Sequence, residues 1–251
     1  MYKSFIYFVL FLNLFHSTAQ EVNSLWETHF SYYNVNDLES NGPYIYASSD
    51  NSIFIYNTQT SELTKITTKQ GLAGEAISSI YFSSNHNKLI VGFVNGLIQV
   101  IDFNTSNIFS IYDIIDKTTI SPDSKRINNF NELDQHIYIS TDYGISVFNL
   151  DSLEFGDTFF IGISGAQVRV AETTVLGEYF YAACKDFEGI KRSLISSNLI
   201  DFNNWSEVFS GSFHAILSVE NSIYFSDQNK IYNIVNGIIS EVFTSNEIIK
   251  D

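Results

Sequence analysis

The sequence predicts an all-β protein: a β-propeller of four-stranded blades, with five blades visible and the ring incomplete. Three observations predict it. First, one hairpin unit recurs five times. The small residue ending its first strand falls at Ser48, Gly92, Ser140, Ala183 and Ser226, at spacings of 44, 48, 43 and 43. Second, each unit carries four short runs rich in β-branched and aromatic residues, and a period near 45 with four strands is a propeller signature. Third, the hairpin KLIVGFVNGLIQVID, Lys88–Asp102, has no polar face. A half-buried hairpin alternates apolar and polar residues. This one must be covered on both sides, as a blade is by its two neighbours.

Taken in order, the chain opens on Lys3 and an apolar run from Phe5 to Phe15, interrupted by Asn13. Ser17-Thr18-Ala19 then offers small residues before Gln20. Residues 1–19 therefore read as a secretory signal peptide; a buried N-terminal strand is the alternative. Residues 20–251 read as the propeller. Trp26–Tyr33 alternates well enough for a strand ahead of the first blade. The blades follow at about 35–67, 77–114, 127–162, 168–209 and 213–243. Each starts with an innermost run: Val35–Leu38, Ile77–Ile80, Ile127–Phe130, Val168–Ala171 and Phe213–Ile216. The hairpin comes next, and a fourth run closes the unit: Leu63–Thr67, Ile108–Tyr112, Phe155–Ile161, Trp205–Phe209 and Ile238–Phe243. Asn95-Gly96 and Asn236-Gly237 predict two-residue turns with both residues at positive φ. Because the fifth unit has its own outer strand, Trp26–Tyr33 finds no blade to complete. The chain thus reads as the front part of a longer propeller, or as a five-bladed ring with a spare strand. Exposed blade faces in the first case predict self-association.

Composition narrows the function classes. With residues 1–19 removed, 12 basic residues (13 less Lys3) face 28 acidic ones. The ten lysines and three arginines are scattered, so binding to nucleic acid is not expected. No segment after the signal peptide approaches the roughly 20 apolar residues of a membrane span. Cys184 is the single cysteine, so no internal disulfide forms and packing must supply stability.

The innermost runs would place Asn36, Asp37, Ser78, Ser79, Asn128, Asn129 and His214 around the central channel, as water-facing lining or, less simply, as a ligand site. Ser140-Thr-Asp-Tyr-Gly-Ile-Ser146 fits the Asp box of sialidases, which are also propellers. Such enzymes clamp a carboxylate with three arginines, whereas Arg126, Arg169 and Arg192 arise at different places in their units; Asp and Gly at a hairpin turn is the simpler reading. His29, His86, His136 and His214 lack metal-ligand spacing, and Asp102-x-Asn104-x-Ser106 lacks the glycine and distal glutamate of a calcium loop. Cys184 has no histidine nearby in sequence. Trp26 and Trp205 could stack on sugars, with packing the plainer role. No residue is assigned a catalytic, cofactor-binding or metal-ligating role, and no cofactor is expected.

Gly71-Leu-Ala-Gly-Glu-Ala-Ile-Ser-Ser-Ile80 with Val91-Gly92 and Asn95-Gly96-Leu97 resembles the regulator-type propeller repeats of Bacteroidota. A longer match is more particular. Leu25-Trp26, Tyr33–Val35, Ile53–Tyr56, the Gly71 run, Ile127–Glu132, Tyr138–Ser146 and Leu153–Asp157 resemble the N-terminal propeller of the PorZ family of type IX secretion components. The resemblance covers roughly Leu25–Gly162. It implies an exported, non-enzymatic accessory in the periplasm or at the outer-membrane surface of a Gram-negative bacterium. The partners it implies are the sortase of that system and anionic lipopolysaccharide, which the sortase attaches to cargo. It also implies a second propeller and a C-terminal domain, neither of which the residues after Phe243 supply. Two other readings stand beside it: the ectodomain fragment of a hybrid two-component sensor, and a sialidase-like or polysaccharide-active propeller enzyme.

Overall fold

The computed structural model describes residues 34–249. The signal peptide expected at residues 1–19, Trp26, His29 and the strand expected at Trp26–Tyr33 lie outside the described residues. Within them the chain forms five four-stranded antiparallel sheets, each an up-and-down meander. The first holds β1 (Asp37–Asn41), β2 (Tyr44–Ser48), β3 (Ile53–Asn57) and β4 (Leu63–Ile66). The second holds β5 (Ile77–Ser83), β6 (Lys88–Phe93), β7 (Ile98–Asp102) and β8 (Asn107–Ile111). The third holds β9 (Ile127–Leu133), β10 (His136–Thr141), β11 (Gly144–Asn149) and β12 (Glu154–Phe159). The fourth holds β13 (Val170–Leu176), β14 (Tyr179–Cys184), β15 (Ile190–Leu194) and β16 (Ser206–Phe209). The fifth holds β17 (Ala215–Val219), β18 (Ser222–Ser226), β19 (Lys230–Val235) and β20 (Ile238–Thr244).

The sheets meet in chain order through their first strands, β1 on β5, β5 on β9, β9 on β13 and β13 on β17. Each junction owns a separate apolar core. Tyr46 and Ile53 of the first sheet pack with Ile80, Leu89, Val91 and Phe93 of the second. Ile90, Ile98 and Val100 pack with Ile127, Phe130 and Ile139 of the third. Ile145 and Phe159 pack with Val170, Phe180 and Ala182, and Tyr181, Ala183 and Ile190 with Ile216, Ile223 and Phe225. The Lys88–Asp102 hairpin is thereby explained: Leu89, Val91 and Phe93 face one neighbour and Ile90 the other. Each such side chain contributes about 1.5–3 kcal/mol when fully buried, and only while the adjacent sheet is present.

Recurrence of a small residue has the same origin. A Cβ placed on Gly92 would lie 2.5 Å from Ile127 Cγ2 and 2.9 Å from Phe130 Cζ. The end of the second strand is where the next sheet's first strand passes closest.

Two outer faces have no such cover. Strand register puts Leu38, Ile45, Tyr56 and Leu63 on the face of the first sheet turned away from the second, and all four are exposed. Leu217, Val219, Val235, Ile238 and Phe243 lie on the corresponding face of the fifth sheet, also exposed. Among the described residues the first and fifth sheets make no junction like the other four. Over the described residues the propeller is an open arc of five blades.

Three innermost strands start two residues later than the apolar runs suggest, at Asp37, Val170 and Ala215. At the fourth and fifth blades the residues ahead of the strand link one blade to the next. Phe213, for instance, is buried and its N–H donates to Cys184 O across the junction at 2.9 Å. The apolar character of Val168 and Phe213 reflects burial rather than strand membership, whereas Val35 is half exposed.

The turn expectation divides. Asn236 and Gly237 both have positive φ, 51° and 79°. At the other hairpin only Gly96 does, at 89°. Gly96 N donates to Phe93 O at 3.1 Å, so the turn spans Val94 as well. Asn95 instead uses its side chain, accepting from Leu97 N at 3.0 Å. Asn can serve a turn through its carbonyl oxygen as well as through its backbone.

Candidate functional site

The first strands of the five sheets line a central cavity of about 430 Å³. Asn36, Asp37, Ser78, Asn128, Asn129 and His214 line it, as expected from sequence; so do Arg126, Glu172, Lys185 and Leu217. Ser79 does not. It is buried and donates to Asp37 Oδ2 at 3.0 Å.

Most of this polar lining joins one blade to the next. Ile80 N of the second sheet donates to Asp37 Oδ2 of the first at 2.8 Å. Tyr81 and Ser83 donate to Glu132 of the third sheet at 3.2 and 3.1 Å. Asn128 Nδ2 donates to Val170 O of the fourth at 2.7 Å, and Asn129 Nδ2 to Glu172 Oε1 at 3.1 Å. Glu172 Oε2 in turn accepts from Ile216 N of the fifth at 2.8 Å, and Thr174 Oγ1 donates to Ser218 Oγ at 3.1 Å. All four junctions carry such bonds. Hydrogen bonds to ionised acceptors are typically worth about 1.5–3 kcal/mol, and they fix blade register where apolar packing alone is tolerant of sliding. Burial raises Asp37 above the ordinary carboxylate value. Glu39, two residues on, is pushed up to about 7, by burial first and the Asp37 charge second.

The Asp-box segment is a hairpin turn between β10 and β11. Thr141 Oγ1 accepts from Tyr143 N at 3.2 Å and donates to Gly144 O at 2.9 Å. Asp142 accepts from Asn128 Nδ2 at 2.8 Å and lies 3.5 Å from Arg169 Nε. Its arginines do not form a clamp: Arg126 lines the channel, Arg169 pairs with Asp142 and Asp186, and Arg192 stacks on the Tyr179 ring at 4.4 Å.

Asp102 caps its own turn, accepting from Asn104 N at 2.8 Å and Thr105 N at 3.3 Å. Among the described residues no group of three His, Cys, Asp or Glu side chains is disposed to hold a metal ion. Cys184 ends β14 fully buried, and burial pushes its thiol up to about 12. Trp205 is buried against Phe180, with its indole N–H on Leu199 O at 2.9 Å. His136 is exposed at the start of β10.

One arrangement escaped sequence reading. His86 sits 2.9 Å from Ser83 Oγ, 3.4 Å from Glu132 and 3.3 Å from Asp151. Serine, histidine and acid stand together as in a hydrolase, but Ser83 is fully buried and also bonds Glu132, so no substrate reaches its hydroxyl. The cluster fastens the second blade to the third.

Comparison with known proteins gives a consistent picture. The family model described as the type IX secretion system PorZ N-terminal β-propeller domain matches residues 45–206. Among solved structures, PorZ of Porphyromonas gingivalis, described as an essential bacterial surface component of the type IX secretion system, aligns with 90% of this chain at a TM-score of 0.73 and 14% identity. The alignment spans 30% of that protein. The extracellular domain of a putative one-component system from B. thetaiotaomicron aligns with 90% of this chain and 31% of its own, at a TM-score of 0.64 and 12% identity. A computationally designed protein, Ika8, gives 0.57 at 12% identity, over 86% of this chain and 65% of its own. At these identities the likeness is one of fold. No curated protein sequence matches the chain.

Proposed function

The chain belongs to the PorZ N-terminal β-propeller family of the type IX secretion system, and on that premise we propose that it is a non-enzymatic accessory component of that system. In this reading residues 1–19 direct export, and residues 20–251 form a propeller that acts in the periplasm or at the outer-membrane surface. It assists the sortase, and with it the attachment of anionic lipopolysaccharide to cargo, through protein–protein contacts. The family match over residues 45–206 carries the proposal.

One feature of the fold supports it. The channel's carboxylates and amides bond neighbouring blades, which leaves them poorly suited to acid–base chemistry on a substrate. No helix among the described residues is long and apolar enough to cross a membrane. The sensor reading has behind it the fold likeness to the one-component system and the repeat resemblance of the Gly71 run, neither of which is a family match.

A pull-down from cell envelopes with the tagged chain tests the assignment, probed for the sortase and for anionic lipopolysaccharide. Recovery of the sortase is the expected result. Recovery of neither, or of a sensor kinase in their place, would remove the secretion role.

A further inference from the structure

Ile163 and Phe187 are 82% and 84% exposed, and no other large apolar side chain among the described residues exceeds 69%. They come from different connections, Ile163 between β12 and β13 and Phe187 between β14 and β15. Both line one groove of about 480 Å³, floored by Phe202 and Trp205.

Both are held outward by constrained backbone. Ser164 has φ 58°, and the Ile163 turn is closed by Gly162 N on Ala166 O at 3.1 Å and Ala166 N on Ile163 O at 3.2 Å. Asp186 and Phe187 have φ 58° and 64° in succession. A left-handed conformation is a true outlier for a residue as bulky as Phe. The Phe187 turn is pinned on three sides. Asp186 N donates to Ser212 Oγ at 3.1 Å, Gly189 N donates to Gly211 O at 2.8 Å, and Arg169 Nη1 lies 3.4 Å from Asp186. Among the described residues the other exposed aromatics, Tyr44, Tyr56, Phe109, Tyr112 and Phe243, reach at most 53%, and many of the rest are buried at blade junctions. A strained and well-anchored loop that presents one to water marks a contact surface.

The groove's charge indicates what it contacts. Glu188, Lys191 and Glu207 border it; Lys191 pairs with Glu188 at 3.2 Å, so the net negative charge of the lining rests on Glu207. We propose that this groove binds an extended, lysine- or arginine-bearing segment of a partner protein. The segment seats an apolar side chain between Ile163 and Phe187 and sets a cation against Glu207. An apolar anchor surrounded by complementary charge is the common anatomy of a peptide site. The inference is independent of the secretion role, since it rests on the groove alone.

A phage-displayed library of random nonapeptides, selected on the purified chain, tests it. The expected consensus is one large apolar residue flanked by Lys or Arg. A synthetic peptide carrying that consensus should bind about tenfold more weakly to Phe187→Ser and to Ile163→Ser, and Glu207→Lys should weaken it as well. Both tips are in solvent, so these variants should keep the parent melting temperature. No enrichment, an acidic consensus, or equal binding by Phe187→Ser overturns the proposal. So does Phe187-dependent flotation with vesicles of phosphatidylethanolamine and phosphatidylglycerol, which would assign the two tips to a lipid surface.

Discussion

Gly92→Ala probes the packing on which the propeller depends. The new methyl points from β6 into the third sheet. Its ideal position lies 2.5 Å from Ile127 Cγ2, 2.8 Å from Ile127 Cβ and 2.9 Å from Phe130 Cζ. Ordinary contact needs 3.4–4 Å, so the neighbours must retreat by about 1 Å. Neither can swing into water, because Ile127 and Phe130 are both buried and hold the core between the second and third blades. Overpacking of this kind costs about 1–3 kcal/mol. Restricting the unfolded chain returns about 0.4–1 kcal/mol, leaving a net loss of about 1–2 kcal/mol. For a domain of this size that lowers the melting temperature by about 3–6 °C. Urea unfolding followed by circular dichroism and by calorimetry measures both quantities. Gly74→Ala is the control: its φ is ordinary, and its Cβ would meet only Thr68 Cγ2, at 3.9 Å. If Gly92→Ala matched or exceeded the parent while Gly74→Ala behaved normally, the claim that adjacent blades meet without spare room would be wrong. Combining Gly92→Ala with Ile127→Ala should cost less than the two separate losses added together, because the second change removes Ile127 Cγ2, the nearest of the three atoms the first one strikes, and opens room for the others to shift.

Two further outcomes follow from ionisable groups. Glu39 holds its proton more tightly in the folded chain, near 7, than in the unfolded chain, near 4.5. Folding is therefore favoured below about pH 4.5 and loses that contribution as pH rises through 7. Glu39→Gln should flatten this decline and gain on the order of 1 kcal/mol at pH 8, after discounting for its contact with water; equal pH profiles for parent and variant would refute it. Cys184, fully buried and with its thiol pushed up to about 12, should resist a thiol-specific disulfide reagent at pH 8 in the native state. It should react within minutes in 6 M urea, and rapid native labelling would show that the third and fourth blades, whose shared core holds this side chain, part readily.

Strand order and blade number were legible because they follow from short-range chemistry. The recurring small residue, the two-sided apolar hairpin and the β-branched runs all mark places where one chain segment lies against another in a fixed repeat. The channel lining was legible for the same reason, through the polar centres of the innermost runs. Glu172 escaped notice because Val168–Ala171 looked like the whole strand, while the ladder starts at Val170 and continues to Leu176. Its role depends on Ile216 and Asn129, both more than 40 residues away. The His86 cluster was hidden likewise, since Glu132 and Asp151 reach it from the next blade.

The sequence by itself determined that this protein is an all-β propeller of four-stranded units, because a period near 45, four β-branched and aromatic runs per unit and a hairpin apolar on both faces can be read along the chain itself. Only the tertiary structure decided which polar side chains join the blades, which two apolar faces stay open, and where Ile163 and Phe187 meet over one groove. Those facts depend on distances between residues far apart in the chain, and side-chain pairing across a junction leaves no periodic mark on either partner alone.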